Sequence, residues 1–361
     1  MYVSSLNLNN FRNYEKQLIE LCTGTNVFCG HNAQGKTNIL EAIYMFCRGK
    51  SIRARQDTEL IRFGEDFFRI EMSFNGRDRD FKGIMTANKL GKKAIRINNV
   101  PITKLSMLMS YFNAVFFTPE DLSLIKGSPV QRRKFIDSSL CQIYPSYLSA
   151  LVSYNKTMLQ KNSLLKNMRK RGIYSEPTLS VWNEALAQEG ARIAKYRQEF
   201  VERINKLAAD IQADISEEKL KIVYMPGISC DLDEKSYYDF LEEHIRSEVD
   251  NGSAKYGIQR DDIGILINEN AAKLYSSQGQ QRTAALALKI AQGDYIKDLK
   301  NEYPVFLLDD IMSELDINRR RYLWEKIKGK QVIITCTDTD SIEMPEGSKL
   351  FRVEKGSVRE V

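Results

Sequence analysis

One stretch limits what this chain can fold into more than any other: Gly30-His31-Asn32-Ala33-Gln34-Gly35-Lys36-Thr37 fits the pattern G-x-x-x-x-G-K-[ST]. The strand-like run Asn26-Val27-Phe28-Cys29 precedes it, and Ile39, Leu40, Ile43, Phe46 and Cys47 follow at helical spacing. A strand, a glycine-rich loop and a helix are therefore expected in that order. Such a loop wraps phosphate oxygens with backbone N–H groups and a helix N-terminus. Lys36 would reach the β- and γ-phosphates, and the Thr37 hydroxyl would coordinate Mg²⁺. A chance glycine-rich turn would not bring strand and helix with it.

Two further elements fit a nucleotide site. Val305-Phe306-Leu307-Leu308 reads as a buried strand that ends in Asp309-Asp310. Alone, such a pair is more often an N-cap, here for a helix beginning near Ser313. Beside a phosphate loop the metal reading prevails, with Asp309 holding Mg²⁺ and Asp310 polarising an attacking water as general base. The third element is Tyr275-Ser276-Ser277-Gln278-Gly279-Gln280-Gln281-Arg282, followed by the helix former Thr283-Ala284-Ala285-Leu286-Ala287-Leu288. Ser277 and the amides around Gly279 at that helix start make a second anion cradle.

The elements between these motifs suggest a domain split in sequence. Val3 to Leu8 alternates like a strand, and the runs Phe68–Met72, Phe81–Met85 and Ala94–Ile97, separated by Asn75-Gly76 and Leu90-Gly91, predict an antiparallel meander. From 139 to 213 apolar residues recur every seven: Tyr144, Leu151, Met158, Leu165, then Leu186, Ile193, Phe200, Leu207. Two long helices are expected, broken at Arg171 to Pro177; a hairpin arm and two ordinary bundle helices both fit the spacing. The insert allows helices of at most ~30 residues, about 45 Å at 1.5 Å per residue. After about 255, Val305–Leu308 and Val332-Ile333-Ile334 return the chain to buried parallel strands. The expected fold is thus α/β: a P-loop head of residues 1–120 and 255–361, with a mixed sheet and an antiparallel β subdomain, plus an inserted α-helical arm domain at 121–254.

Composition narrows the class. The 361 residues are 43% hydrophobic and 28% charged, as in a soluble globular protein of roughly two domains. Residues 1–20 lack the apolar run of a secretory signal, and no stretch approaches the ~20 apolar residues of a membrane helix. Six scattered cysteines without a CxxC pair read as reduced and cytoplasmic, and argue against structural zinc. The net charge of +6 is too small to decide whether a polyanion binds. Basic clusters at Arg132-Arg133-Lys134, Lys166 to Arg171 and Arg319-Arg320-Arg321 could meet nucleic-acid phosphates or be solvated faces.

A resemblance extends these readings. Ser277-Gln278-Gly279-Gln280 is similar to the signature motif of ABC-type ATPases, and Ser313-Glu314-Leu315-Asp316 to their D-loop. In that class the signature of one head closes over nucleotide on the loop of another, which implies an ATP-dependent homodimer sharing two nucleotides. Pro119 to Asp137, Ser277 to Arg282, Leu307 to Leu323, Phe11-Arg12-Asn13-Tyr14 and Gly257 to Asp262 together resemble the RecF family of bacterial recombination mediators, over essentially the whole chain. The resemblance implies a weak, DNA-stimulated ATPase that uses ATP and Mg²⁺. It would bind DNA when ATP closes the dimer, prefer duplex beside a single-stranded gap, and act with RecR and RecO to place RecA. It also suggests that Arg12 contacts nucleotide and Asn13 the base, although a surface arginine remains an even alternative for Arg12.

The expected site comprises Gly30, His31, Asn32, Ala33, Gln34, Gly35, Lys36, Thr37 and Asn38, with Arg12, Asn13, Ser277, Gly279 and Gln280. Catalysis would fall to Lys36, Ser277 and Asp310, and the metal to Thr37 and Asp309. The chain departs from related patterns at three points. Gln259 stands where the family usually has histidine; Asp310 replaces the glutamate usual in ABC transporters; and no histidine follows the Asp309 strand, leaving γ-phosphate sensing to a residue such as Thr337. The missing switch histidine disfavours a transporter subunit, the short insert a long SMC-like tether, and the lack of CxxC a zinc-hook ATPase.

Overall fold

A computed structural model describes residues 1–77, 79–172, 176–339, 342 and 344–361. They form two compact units: Met1–Leu122 with Ile211–Glu217 and Arg282–Val361, and Ser123–Asp210 with Glu218–Gln281. Along the chain the strands are β1 (Tyr2–Phe11), β2 (Tyr14–Glu20), β3 (Thr25–Cys29), β4 (Phe67–Gly76), β5 (Arg79–Asn88), β6 (Lys93–Ile97), β7 (Val100–Pro101), β8 (Ala114–Phe117), β9 (Leu220–Met225), β10 (Asp262–Ile267), β11 (Asn270–Ala271), β12 (Val305–Asp309), β13 (Val332–Cys336), β14 (Lys349–Glu354) and β15 (Ser357–Glu360).

The first unit holds two six-stranded sheets. One, ordered β2-β1-β4-β5-β6-β7, is wholly antiparallel. Alternation in β4 buries Phe68, Ile70, Met72 and Phe74, as the period of two requires for a sheet with one covered face. The predicted meander is present, with one shift. Asn75 and Gly76 pair with Asp80 and Arg79 inside the ladder, so the first turn follows them, at Arg77; residue 78 lies outside the described residues. Arg77 takes φ 52 there, a turn conformation that the dipeptide signal misplaced by two residues.

The second sheet, ordered β15-β14-β3-β13-β12-β8, is mixed: β14, β3, β13, β12 and β8 run parallel, and β15 closes the edge antiparallel to β14. Continuous apolar runs fit this interior, since Val305–Leu308 and Val332–Ile334 are buried on both faces. The helix Lys36–Arg48 buries Ile39, Leu40, Ile43, Phe46 and Cys47 in the same core as β1 and β4.

The other unit is mainly helical, with the sheet β11-β10-β9. Its helices include Pro129–Ile143, Pro145–Arg171 and Glu176–Ile215 up to Asp210, the residues from Ile211 belonging to the first unit. The two long helices are as expected, but the limit of about 30 residues is wrong for the second, which has 40 and spans about 60 Å. Pro177 interrupts nothing because it sits in the first helical turn, where no N–H partner is required. Gly172 in left-handed conformation ends the first helix, whereas residues 173–175 of the expected break lie outside the described residues.

Arg197, 1% exposed, organises this interior: it donates to Asp137 at 2.8 Å, to Asp261 at 2.7 Å and to the Ile258 carbonyl at 2.7 Å. Tyr224 and the Gly227 N–H also donate to Asp261, and Arg132 holds Asp262 through two bonds of 2.6 and 2.8 Å. Residues 257–262 are therefore a structural keystone. Gln259 serves it by accepting from Tyr154 at 2.7 Å and donating to the Tyr256 carbonyl. Among the described residues, no helix is long and apolar enough to cross a membrane.

Candidate functional site

The loop leaves β3 at Cys29, and its glycines are sterically required. A Cβ on Gly30 would stand 2.3 Å from the Val353 carbonyl oxygen. Gly35 has φ +113, and a Cβ there would meet the Asn13 amide at 2.5 Å. The helix begins at Lys36, directing its first amides at the loop cavity. Lys36 is 4% exposed and its ammonium donates to the carbonyls of Gly30 at 2.5 Å and His31 at 3.3 Å. The cavity, of about 180 Å³, is lined by His31, Asn32, Ala33, Gln34, Gly35, Lys36, Thr37, Asn38, Arg53 and Asp310.

Strand order brings the carboxylates to this loop. The Thr37 hydroxyl donates to Asp309 at 2.8 Å, and the Thr335 hydroxyl donates to the same oxygen at 2.8 Å. Burial pushes the Asp309 carboxyl up, against the pull of those two hydroxyls; Asp310 raises it further and Arg53 lowers it. Asp310 sits in left-handed backbone at φ 50, its N–H on Thr335 Oγ1 at 3.0 Å. Its carboxylate makes no capping bond to the 3₁₀ turn Ile311–Glu314. The expected helix near Ser313 is that short turn; the α-helix is Ile317–Ile327, capped by Asp316 through the Arg319 N–H. Glu314 is held by Arg282 at 2.8 Å, and Ser313 donates to the Asp310 carbonyl.

Turn residues between β1 and β2 clamp the loop from the other side. Asn13 donates to the Gln34 carbonyl at 2.7 Å and accepts from Asn38 at 2.8 Å, while the Tyr14 hydroxyl donates to the Gly35 carbonyl at 3.0 Å. Arg12 is no loose surface arginine, because it grips the fully buried Glu41 through two bonds of 3.0 Å. Arg53 and Ser51 also donate to Glu41. Although burial raises that carboxyl, these donors together hold it below the usual carboxylate range. Arg12, Asn13, Asn38, Arg53, Ala54, Glu59 and Ile61 line a second cleft that shares Asn38 and Arg53 with the loop cavity.

Glu41, Arg53 and Tyr14 were missed from sequence. Glu41 had a visible signal, a charge between Leu40 and Ala42 on the apolar face of a helix. Arg53 had none, because its place depends on how residues 49–60 fold back.

Ser277 lies in the other compact unit, exposed at the start of the helix Gln278–Lys300. Its N–H donates to the Gln280 side chain at 2.7 Å and its hydroxyl accepts the Gln280 N–H at 3.2 Å, a reciprocal capping box, with Gly279 between them. Thr337 is exposed just after β13, and its carbonyl accepts from Cys29 Sγ at 3.4 Å.

Burial divides the three basic clusters residue by residue, and Lys134 and Arg321 are exposed. Arg132 is 7% exposed and bound to Asp262, Arg133 donates to the Asp261 carbonyl, and Arg319 pairs with Asp316 and donates to Thr283. Those side chains serve the interior of the fold. Lys166, Arg169, Lys170 and Arg171 are all exposed.

Residues 2–359 match the family described as the RecF/RecN/SMC N terminal domain. The chain is 42% identical over 369 residues to a DNA replication and repair protein RecF of Clostridium perfringens, covering 99% of this chain and 100% of that one. It is 42% identical over 362 residues to the RecF of Agathobacter rectalis, covering 99% of both. Among solved structures, one described as the recombination mediator protein RecF-ATP in the RecFOR pathway superposes with a TM-score of 0.93 at 35% identity, covering 100% of this chain and 97% of that one. An SMC head bound to the C-winged helix domain of ScpA, at TM-score 0.60 and 17% identity over 100% of this chain and 97% of that one, shares the fold alone.

Proposed function

Because the chain belongs to the RecF family of DNA replication and repair proteins, we propose that it is an ATP-dependent DNA-binding recombination mediator whose weak hydrolysis is completed by a second copy of itself. The observation that carries this reading is the Thr37–Asp309 contact at 2.8 Å, two hard oxygen donors at the mouth of a phosphate loop. The donor set suits Mg²⁺, and the Cβ-free backbone at Gly30 and Gly35 suits close approach of phosphates. Mg²⁺ when bound neutralises charge on the β- and γ-phosphate oxygens.

The remaining chemistry belongs to the chain. Loop amides from Gly30 to Asn38 orient the phosphates, and Lys36 exchanges its carbonyl partners for phosphate oxygens. Arg53, reaching both cavities, adds a second cation, while Arg12 and Asn13 face the nucleoside side of the cleft. Asp310 accepts the proton of the attacking water at its carboxylate oxygen. Its side chain is one methylene shorter than glutamate, which fits slow turnover. Ser277, Gly279 and Gln280 of the second copy close over the γ-phosphate, and Thr337 senses it. Hydrolysis then opens the dimer and releases DNA.

Closing two arms would bring exposed basic residues such as Lys170 and Arg171 onto one DNA, making phosphate contacts multivalent in the ATP state. In the cytoplasm such a clamp at a duplex beside a single-stranded gap would work with RecO and RecR to load RecA. The test is hydrolysis rate per monomer against protein concentration, with and without gapped duplex, with Lys36→Met as control. A rate that rises with both supports the composite site; a flat rate indifferent to DNA overturns it.

A further inference from the structure

Two cysteines meet at the root of the phosphate loop. Cys29 ends β3 and Cys336 ends β13, and the two are direct register partners across parallel strands. Partnered strands lie about 4.8 Å apart, inside the ~4.4–6.8 Å span of Cα atoms that a disulfide bridges. As register partners they also place their side chains on the same face of the sheet. Cys29 is half-buried and Cys336 is 6% exposed. Both are free thiols, and the Gly30 N–H donates to the Cys336 carbonyl at 3.2 Å.

We propose that Cys29 and Cys336 form a peroxide-sensitive thiol pair whose disulfide disables the phosphate loop. The more accessible Cys29 sulfur attacks a peroxide oxygen, the O–O bond breaks, and the products are the Cys29 sulfenic acid and one water. The Cys336 sulfur then attacks the Cys29 sulfur, and the sulfenic oxygen leaves as a second water with the Cys336 proton. Two thiols lose two electrons, and hydrogen peroxide is reduced to two waters.

The consequence follows from what the two strands carry. A disulfide draws its Cβ atoms to about 3.8 Å, closer than the ~4.8 Å between neighbouring strands. Gly30 adjoins Cys29 and has no slack, since Val353 O already stands 2.3 Å from where its Cβ would be. Its carbonyl also holds Lys36. Thr335, beside Cys336, orients Asp309. Bridging the strand ends therefore moves both halves of the site.

The inference rests on the ATP-binding reading above, so the experiment reads chemistry and binding separately. Full-length protein is treated with hydrogen peroxide, alkylated, digested and searched by mass spectrometry for a peptide linking Cys29 to Cys336. Fluorescent ATP-analogue affinity is measured on the same samples before oxidation, after it, and after dithiothreitol. The expected result is the linked peptide together with at least a tenfold loss of affinity that the reductant reverses, and no peroxide response in Cys29→Ser or Cys336→Ser. Absence of the linked peptide, or its formation with unchanged affinity, overturns the proposal. If Cys29→Ser is poorly folded, Cys336→Ser alone decides. Failure of the reduced protein to bind the analogue would strike the ATP reading instead, while the peptide map would still report the thiol pair.

Discussion

The Thr37 hydroxyl donates to the Asp309 carboxylate at 2.8 Å, joining residues 272 positions apart in the chain. Neither residue's neighbours dictate this contact. It exists because β3 lies parallel beside β13 and β13 parallel beside β12, so the strand ends that carry the loop and the carboxylates open at the same, C-terminal end of the sheet.

Removing that hydroxyl at nearly constant volume isolates its role. Thr37→Val is expected to leave the fold intact, because Thr335 still donates to Asp309. Mg²⁺-dependent hydrolysis should drop by about two orders of magnitude, a size typical of removing one preorganised group. Titrating Mg²⁺ in a steady-state phosphate-release assay checks this; an unchanged Mg²⁺ dependence would contradict it.

Asp310→Asn keeps the shape and removes the proton acceptor. ATP affinity should stay within a few-fold while turnover falls by about 10²–10⁴, the range of general base catalysis. Equilibrium binding and single-turnover measurements separate the two. If the variant still completes repair in cells, hydrolysis is dispensable and nucleotide serves only to close the clamp.

Glu41 links stability to pH. Its carboxyl is held low in the folded state, so the stability it contributes is fully present above the unfolded carboxylate value, about 4.3. That contribution disappears as pH falls through the lower folded value. Glu41→Gln should cost about 2 kcal/mol at neutral pH, the size of a hydrogen bond to a charged group, and should flatten the acid limb of the urea-unfolding profile. Parallel acid limbs in both proteins would argue against it.

The basic clusters predict opposite phenotypes. Arg132→Ala breaks a part-buried, doubly hydrogen-bonded pair with Asp262 and should destabilise the protein by about 1.5–3 kcal/mol, the size of a hydrogen bond to a charged group. Lys170→Ala with Arg171→Ala should leave unfolding unchanged, weaken DNA binding in the ATP state, and reduce the salt slope by about one for each DNA phosphate no longer neutralised. Fluorescence anisotropy across a salt series, alongside chemical denaturation, distinguishes them.

Features with local causes were readable from the residues. The loop, its helix and the buried strands Val305–Leu308 and Val332–Ile334 follow from glycine sterics and apolar periodicity within about a dozen residues. The serine-led helix start was likewise visible as residues, and its capping box is a local affair between Ser277 and Gln280. Errors arose where a short signal was asked for a longer-range answer. The Asn75-Gly76 turn slipped because ladder register set the turn, and the second long helix outran the expected limit because only packing decides where an uninterrupted helix stops.

By itself, then, the sequence determined that this chain carries a glycine-rich loop between a strand and a helix, a carboxylate-ended strand and a serine-led helix start on an α/β scaffold with a helical insert. Each is set by the conformational limits of its own residues. Tertiary structure alone decided the partners: Arg12 on Glu41, Thr37 on Asp309, Cys29 beside Cys336, and Arg132 turned inward to Asp262. Those pairings depend on strand order and on which side chains lose their water. Both are properties of the packed whole, because a buried charge takes whatever partner the surrounding elements bring within reach.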